Sequence, residues 1–255
     1  MKQKTDRSFD GIAAKFSRNI YNSTKGKLRQ LVLLRDLAEL ELLQQPCQIL
    51  DVGAGQGQLA LALAAQGHSV HLTDISAQML QLAQQQATEQ GLTQLSFSQT
   101  GLAELAATHQ QQYKLVLCHA MLEWLAEPEL AIAQLRKLVA PGGVLSLMFY
   151  NKDAKRFGNI LFGNFDYVAA DFQVKKKVSL NPQHPLSPQD VLRWCDEAGF
   201  SLLAKTGVRC FHDYLQDRSQ QQSHFEQLLA LELQYNRTEP YASLGRYQHV
   251  LLGAD

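Results

Sequence analysis

Between Gln48 and Gly57 the chain reads Gln-Ile-Leu-Asp-Val-Gly-Ala-Gly-Gln-Gly, and this stretch restricts the fold more tightly than any other. Ile49, Leu50 and Val52 form the short apolar run of a buried parallel strand. Glycines follow at 53, 55 and 57, and then Leu59-Ala-Leu-Ala-Leu-Ala-Ala65, a strong helix-forming segment. A strand passing through glycines into a helix makes a tight turn with no side chains in the way. A ligand can then lie against the backbone and face the helix N-terminus. The next apolar run, Val70-His-Leu-Thr73, ends at Asp74, 21 residues past Gly53. That is close to the spacing at which a carboxylate meets a ribose hydroxyl pair. A dinucleotide fingerprint would need a glycine three positions after the second one, and Gln58 stands there.

The pattern Asp51-x-Gly53-x-Gly55-x-Gly57, with Asp74 after it, resembles the first motif of the class I S-adenosylmethionine-dependent methyltransferases. In that superfamily the acid at the position of Asp74 binds the cofactor's ribose. The resemblance implies an α/β, Rossmann-like fold: a seven-stranded, mostly parallel sheet with helices on both faces. The competing reading is a glycine-rich turn in some other doubly wound protein.

Periodicity places strands near 48–52, 69–73, 94–98, 114–119 and 144–150, with helices near 57–66, 76–90 and 128–140. Ser76 is the expected cap of the second of these helices. Pro141-Gly142-Gly143 is expected to break the chain before the strand that starts at Val144. Elements near 187–199, 200–206 and 247–252 complete the sheet. Ahead of this core, Phe9–Phe16 has helical spacing, Asn22–Lys27 reads as a loop, and Leu28–Leu43 reads as one helix ending before Pro46. The whole, 1–255, is expected to be a single methyltransferase domain. Residues 1–46 would be a helical cap, 47–150 the cofactor-binding core, and 151–186 and 207–245 the substrate-binding additions. Both additions follow strand C-termini, the edge at which open α/β sheets bind ligands.

Charge is unevenly spread along a chain of zero formal net charge. Residues 1–35 hold nine Lys/Arg and two Asp/Glu, whereas 36–140 hold three and ten. A second basic cluster is Lys175-Lys-Lys177. Segregation of this kind suits an anionic partner met by one face; the bland alternative is solvated helix surface. Four scattered cysteines without C-x-x-C spacing argue against a zinc site or a disulfide framework, so no metal is expected. No apolar run is long enough to span a bilayer, and no signal peptide pattern opens the chain, so a cytoplasmic protein is expected.

Several segments resemble one family within the superfamily, the bacterial tRNA 5-carboxymethoxyuridine methyltransferases. They are Ala14–Tyr21, Lys25-Gly26, Leu147–Asn151, Gly163–Val168, Lys205–Arg209, Phe211–Tyr214 and Leu244-Gly-Arg-Tyr-x-His249. The resemblance runs from about residue 8 to 252 and takes in both additions. It implies methylation, from S-adenosyl-L-methionine, of the carboxylate of 5-carboxymethoxyuridine at the tRNA wobble position, giving the methyl ester. The implied cofactor contacts are Arg29, Gly53, Ala54, Gly55, Asp74, Leu102 and His119. Ala54 and Leu102 depart from the family pattern, which has glycine and alanine there. Arg29 would hold the cofactor's carboxylate from a helix that closes over the site.

The chemistry agrees with this. A carboxylate is ionised at neutral pH, so the nucleophile needs no general base, and the sequence offers no compelling one. The site must instead hold two reactants close and in line. Arg209, His212, Tyr150 and Arg246 are the candidates for positioning the carboxylate, with Tyr214 or Phe165 offering an aromatic face to the base. Arg209 and His212 are nearly as readily explained as pins for a C-terminal loop. His119 could be a satisfied buried histidine, and Phe16, Phe149 and Trp124 read as core. A small-molecule carboxyl or phenol methyltransferase would keep the same cofactor site, and a non-catalytic RNA-binding protein would keep only the fold. The oligomeric state is not written in the sequence.

Overall fold

The computed structural model describes residues 11, 23–109, 111–173 and 184–254. The expected helix at Phe9–Phe16 and the Lys175–Lys177 cluster lie outside the described residues. The first described helix, α1, spans Thr24–Ala38 and is followed by a 3₁₀ turn at Glu41–Leu43. This corrects the sequence reading twice. Ser23 acts as N-cap, its hydroxyl accepting from the Gly26 N–H, so 24–27 is helix rather than loop. The helix then stops at Ala38 instead of running to Leu43.

The alternating core follows: β1 Gln48–Val52, α2 Gln58–Ala65, β2 Ser69–Asp74, α3 Ala77–Glu89, β3 Leu95–Gln99, α4 Leu102–Thr108, β4 Tyr113–His119, α5 Pro128–Leu138 and β5 Val139–Tyr150. Ser76 does cap α3, accepting from Met79 N–H at 3.2 Å. The strand β5 begins five residues earlier than expected. Val139 already pairs with Tyr113, and the register slips between Tyr113 and Leu115. Pro141-Gly142-Gly143 is therefore a bulge inside the strand, where a missing N–H and a positive φ at Gly142 are tolerated.

Beyond β5 the chain forms α6 Lys152–Leu161, α7 Phe165–Ala169, α8 Pro188–Glu197, β6 Phe200–Val208, α9 Gln220–Ser223, α10 Phe225–Tyr235, α11 Tyr241–Leu244 and β7 Tyr247–Ala254. The seven strands are ordered β3-β2-β1-β4-β5-β7-β6, with β7 antiparallel to both its neighbours. Alternation along the central strands feeds two cores. Val116 and Cys118 of β4 face α4, α5 and α8; Leu115 and Leu117 face α1, α2 and α10.

One consequence of this topology positions the site. Tyr150 at the end of β5 pairs with Tyr247 at the start of β7, which pairs with Val208 at the end of β6. His119 ends β4 beside Met148. Segments 151–186 and 209–246 thus leave and return at the sheet edge where β1 opens into its glycine turn.

Candidate active site

At that edge the glycine turn is held in one shape by the acid after β2. Asp74 Oδ2 accepts from Gly55 N–H at 2.9 Å, and Oδ1 accepts from Ser76 N–H at 2.8 Å. Gly53 has φ +67°, and a Cβ there would come within 2.7 Å of Met121 Sδ. Only glycine keeps that floor open. Asp51 lies buried just below, and burial, with Asp74 nearby, pushes its carboxyl up to about 7.

Two hollows meet over this turn. The first is lined by Arg29, Asp51, Gly53, Ala54, Gly55, Asp74, His119 and Trp124 among others. The second shares Gly53, Asp74, Ala120 and Trp124 and adds Leu102, Ile75, Met121 and Leu125. All seven residues expected to contact the cofactor therefore line one continuous cleft. Its first part is polar and ionic, and its second is apolar and suited to a flat base. A carboxylate, an arginine and an open glycine floor fit the ribose, the methionine carboxylate and the close backbone approach of S-adenosylmethionine.

Trp124 belongs to this cleft and not to the core, which corrects the sequence reading. It closes the 3₁₀ turn Leu122–Trp124, which follows the C-terminal end of β4. Position after a sheet-edge strand was the available signal. The preceding Glu123 is fully buried. Burial lifts its carboxyl to about 7, against the opposing pull of the Glu123 and Tyr150 backbone amides and of Arg29.

A second cluster lies at the ends of β5, β6 and β7. Arg209 sits in the left-handed region at φ +63°, and its Nε and Nη2 both donate to Asp213 Oδ2, at 3.0 and 2.5 Å. Its guanidinium also lies 5.5 Å from the centre of the Tyr247 ring, and Arg246 lies 4.9 Å over the Tyr150 ring. Lys25 stands within reach of the charges of Asp213, Arg209, Arg218 and Arg246. Burial pulls the Lys25 ammonium below its usual range; Asp213 opposes this, and the three arginines reinforce it. Burial raises the Asp213 carboxyl, but Arg209, His212 and Arg246 together hold it well below the carboxylate range.

The structure treats the four positioning candidates differently. Tyr150 and Arg209 are brought together beside Arg246. His212 is fully buried, with Nε2 3.0 Å from Thr24 Oγ1 and Nδ1 3.1 Å from Asp213 Oδ1, so it ties the loop to α1 and cannot reach a ligand from there. Glu232 of α10 fixes the same loop by accepting from the N–H groups of Cys210, Phe211 and His212. Phe149 is fully buried core, as expected. Tyr214 is pinned by its hydroxyl to the carbonyls of Ala154 and Leu244, whereas Phe165 is 65% exposed. Neither the cleft nor the cluster includes a metal centre: among the described residues no group of His, Cys, Asp or Glu could hold one. No helix among them is long and apolar enough to cross a membrane.

Residues 49–143 match the family described as "Methyltransferase domain". Across 96% of its length the chain is 47% identical to the tRNA 5-carboxymethoxyuridine methyltransferase of Escherichia coli (strain K12), covering 95% of that protein. A ubiquinone biosynthesis O-methyltransferase from Leptothrix cholodnii is 29% identical over 63% of the chain and 67% of its own length. Among solved structures, magnesium protoporphyrin IX methyltransferase from Synechocystis PCC 6803 with bound SAH superposes with a TM-score of 0.66 at 18% identity. That match covers 97% of this chain and 96% of the other.

Proposed function

The chain belongs to the tRNA 5-carboxymethoxyuridine methyltransferase family, and on that premise we propose how its own residues carry out the reaction. It transfers a methyl group from S-adenosylmethionine to tRNA at the modified wobble uridine. The cleft over the glycine turn holds the cofactor. Asp74 takes the ribose hydroxyls, Arg29 the methionine carboxylate, and Leu102 covers the adenine, with Gly53, Ala54, Gly55 and His119 completing the contacts. When bound, the cofactor supplies the electrophilic methyl group, and everything else is positioning.

The observation that carries the substrate assignment is the pair Arg209 and Arg246 on Asp213, with Lys25 within reach of all three charges and of Arg218. One carboxylate cannot neutralise the two arginines that share it, so the cluster has positive charge to offer a second anion. That anion is the uridine's carboxymethoxy carboxylate, already ionised and nucleophilic. Arg209 and Arg246 orient it, helped by the Tyr150 hydroxyl. Burial chiefly keeps that phenol protonated, so it acts as a hydrogen-bond donor. His212 acts at one remove by holding Asp213.

The anticodon loop would be received by α6 and α7, where Phe157, Ile160, Leu161, Phe162 and Phe165 are exposed. Cations accompany these rings: Arg218 lies over Phe162, and Lys155 over Tyr167 and Phe172. Aromatic faces with interleaved cations suit unstacked bases on a phosphate backbone. Domain 1–255 then divides into a cap that closes on the cofactor, a core that binds it and two additions that bind tRNA. A tRNA substrate also makes the cytoplasm its place of work. Mass spectrometry of wobble nucleosides, after incubating carboxymethoxyuridine-containing tRNA with protein and cofactor, tests the whole reading: the methyl ester is expected.

A further inference from the structure

Behind the cofactor cleft, four side chains form a hydrogen-bonded row. His119 Nε2 lies 2.9 Å from Ser146 Oγ, Ser146 Oγ 2.8 Å from His249 Nε2, and His249 Nδ1 2.7 Å from Asp36 Oδ2. They come from β4, β5, β7 and α1, adjacent because those three strands are neighbours in the sheet and α1 packs across them. Ser146, His249 and Asp36 are at most 1% exposed. Nothing in methyl transfer itself calls for a buried row of this kind.

The direction of each hydrogen bond follows from the Asp36 end. Burial works against the charge on Asp36, but His249 and Arg35 hold its carboxyl well below the usual range, so it only accepts. His249 Nδ1 therefore carries a proton. Arg35 and Arg237 both donate to Asp36 Oδ1 at 2.7 Å, and Arg237 also holds Glu39. Two guanidiniums already balance two carboxylates, so a further positive charge on fully buried His249 would stand uncompensated. A neutral His249 protonated at Nδ1 has a bare Nε2, which must accept the Ser146 hydroxyl proton. With that proton spent, Ser146 Oγ accepts from His119 Nε2–H. Burial chiefly, with the Arg29 charge nearby, holds the His119 pKa well below its ordinary value, so the ring is neutral and Nδ1 has no proton. None of the described residues bonds that nitrogen, and His119 lines the cleft together with Arg29.

We propose that Asp36, His249 and Ser146 are positioning residues that fix His119 as its Nε2–H tautomer, so that the bare Nδ1 accepts a hydrogen bond from the cofactor's α-ammonium group while Arg29 takes its α-carboxylate. This rests on the cleft being the cofactor site. The row makes His119 selective for a donor: the opposite tautomer would point N–H at N–H and repel the ammonium.

The test uses the full chain and two probes, S-adenosylhomocysteine and its counterpart with hydrogen in place of the α-amino group. Calorimetry on the unaltered protein separates the two levels, since binding of neither probe would overturn the cofactor reading and the proposal with it. Long-range proton–nitrogen spectra of the ligand-free protein are expected to show His119 protonated at Nε2 only and His249 at Nδ1 only. A proton on His119 Nδ1, or two on His249, overturns the proposal without any variant. In Ser146→Ala the transmitting hydroxyl is gone. The advantage of S-adenosylhomocysteine over its deaminated counterpart should shrink by about tenfold, while the deaminated probe binds nearly as before. Ser146→Thr, which keeps the hydroxyl, should restore that advantage. An undiminished advantage in Ser146→Ala overturns the proposal.

Discussion

Asp74 holds the loop at Gly55, its Oδ2 accepting that residue's N–H at 2.9 Å, 19 positions apart in the chain. Ser76 N–H fixes the other oxygen, Oδ1. The same carboxylate therefore shapes the glycine turn and lines the cleft where a ribose would lie. Asp74→Ala should weaken S-adenosylmethionine binding by roughly 1–3 kcal/mol, or about 5- to 150-fold, because the ribose hydroxyls would lose a charged partner. Calorimetric titration checks this, and wild-type affinity in the variant would remove Asp74 from the site.

Asp51 gives the fold a pH dependence whose sign can be worked out. Its folded carboxyl is raised from 3.8 to about 7, chiefly by burial, so between those values the native state holds a proton that the unfolded state has released. Stability is then fully present below about pH 4 and declines as pH rises towards 7, at a cost of roughly a few kcal/mol from this group. Asp51→Asn cannot ionise and should flatten that part of the stability profile. Urea midpoints measured from pH 5 to 8 give the comparison, and parallel profiles for the two proteins would contradict the assignment.

The sheet and the cleft were largely legible because their signals are local. Glycines at 53, 55 and 57, an apolar run on each side and an acid at the end of β2 leave little freedom, and those residues do meet over one turn. Most of what escaped depends on contacts between distant segments. The cap at Ser23 is local and was hidden by the polar, glycine-containing run after it, whereas the tie of Thr24 to His212 crosses 188 positions. Trp124 and Phe149 are both aromatic residues in apolar runs, and only the 3₁₀ turn after β4 shows that one faces the cleft. His212 looked as available as Arg209, yet its two ring nitrogens are spent on Thr24 and Asp213. The row from His119 to Asp36 spans four elements and leaves no pattern in the sequence at all.

The exposed aromatic face of α6 and α7 should serve tRNA and not the cofactor. Phe162 is 50% exposed and lies under the Arg218 guanidinium, so truncating it removes a stacking surface without opening the core. Phe162→Ala should weaken tRNA binding by about 1–3 kcal/mol and leave cofactor affinity unchanged. Arg218→Gln, on the same face, should in addition make the slope of log K against log salt shallower by about one phosphate contact. Filter binding across a salt series reads both effects. A slope unchanged in Arg218→Gln would take the RNA backbone off this face.

Arg209→Met tests the mechanism, because it removes a charge while keeping much of the side-chain bulk. Both residues carry a Cβ at the same φ of +63°, so the backbone strain is common to the two proteins and cancels in the comparison. Asp213 keeps Arg246 at 4.0 Å and His212 at 3.1 Å, and Glu232 still holds the loop through three backbone amides. The loop should therefore stay folded. If Arg209 orients the attacking carboxylate, turnover should fall by about a hundredfold with tRNA binding much less affected, since misplacing a reactant acts on the reacting geometry. If Arg209 is only a pin, the melting temperature should fall instead and the folded fraction should turn over normally. The substrate side gives the matching control. Unaltered protein should methylate tRNA carrying 5-hydroxyuridine far more slowly than tRNA carrying 5-carboxymethoxyuridine, because hydroxyuridine brings no carboxylate to the cations beside Asp213. Equal rates on the two tRNAs would show that the cluster does not select a carboxylate, whatever Arg209→Met does.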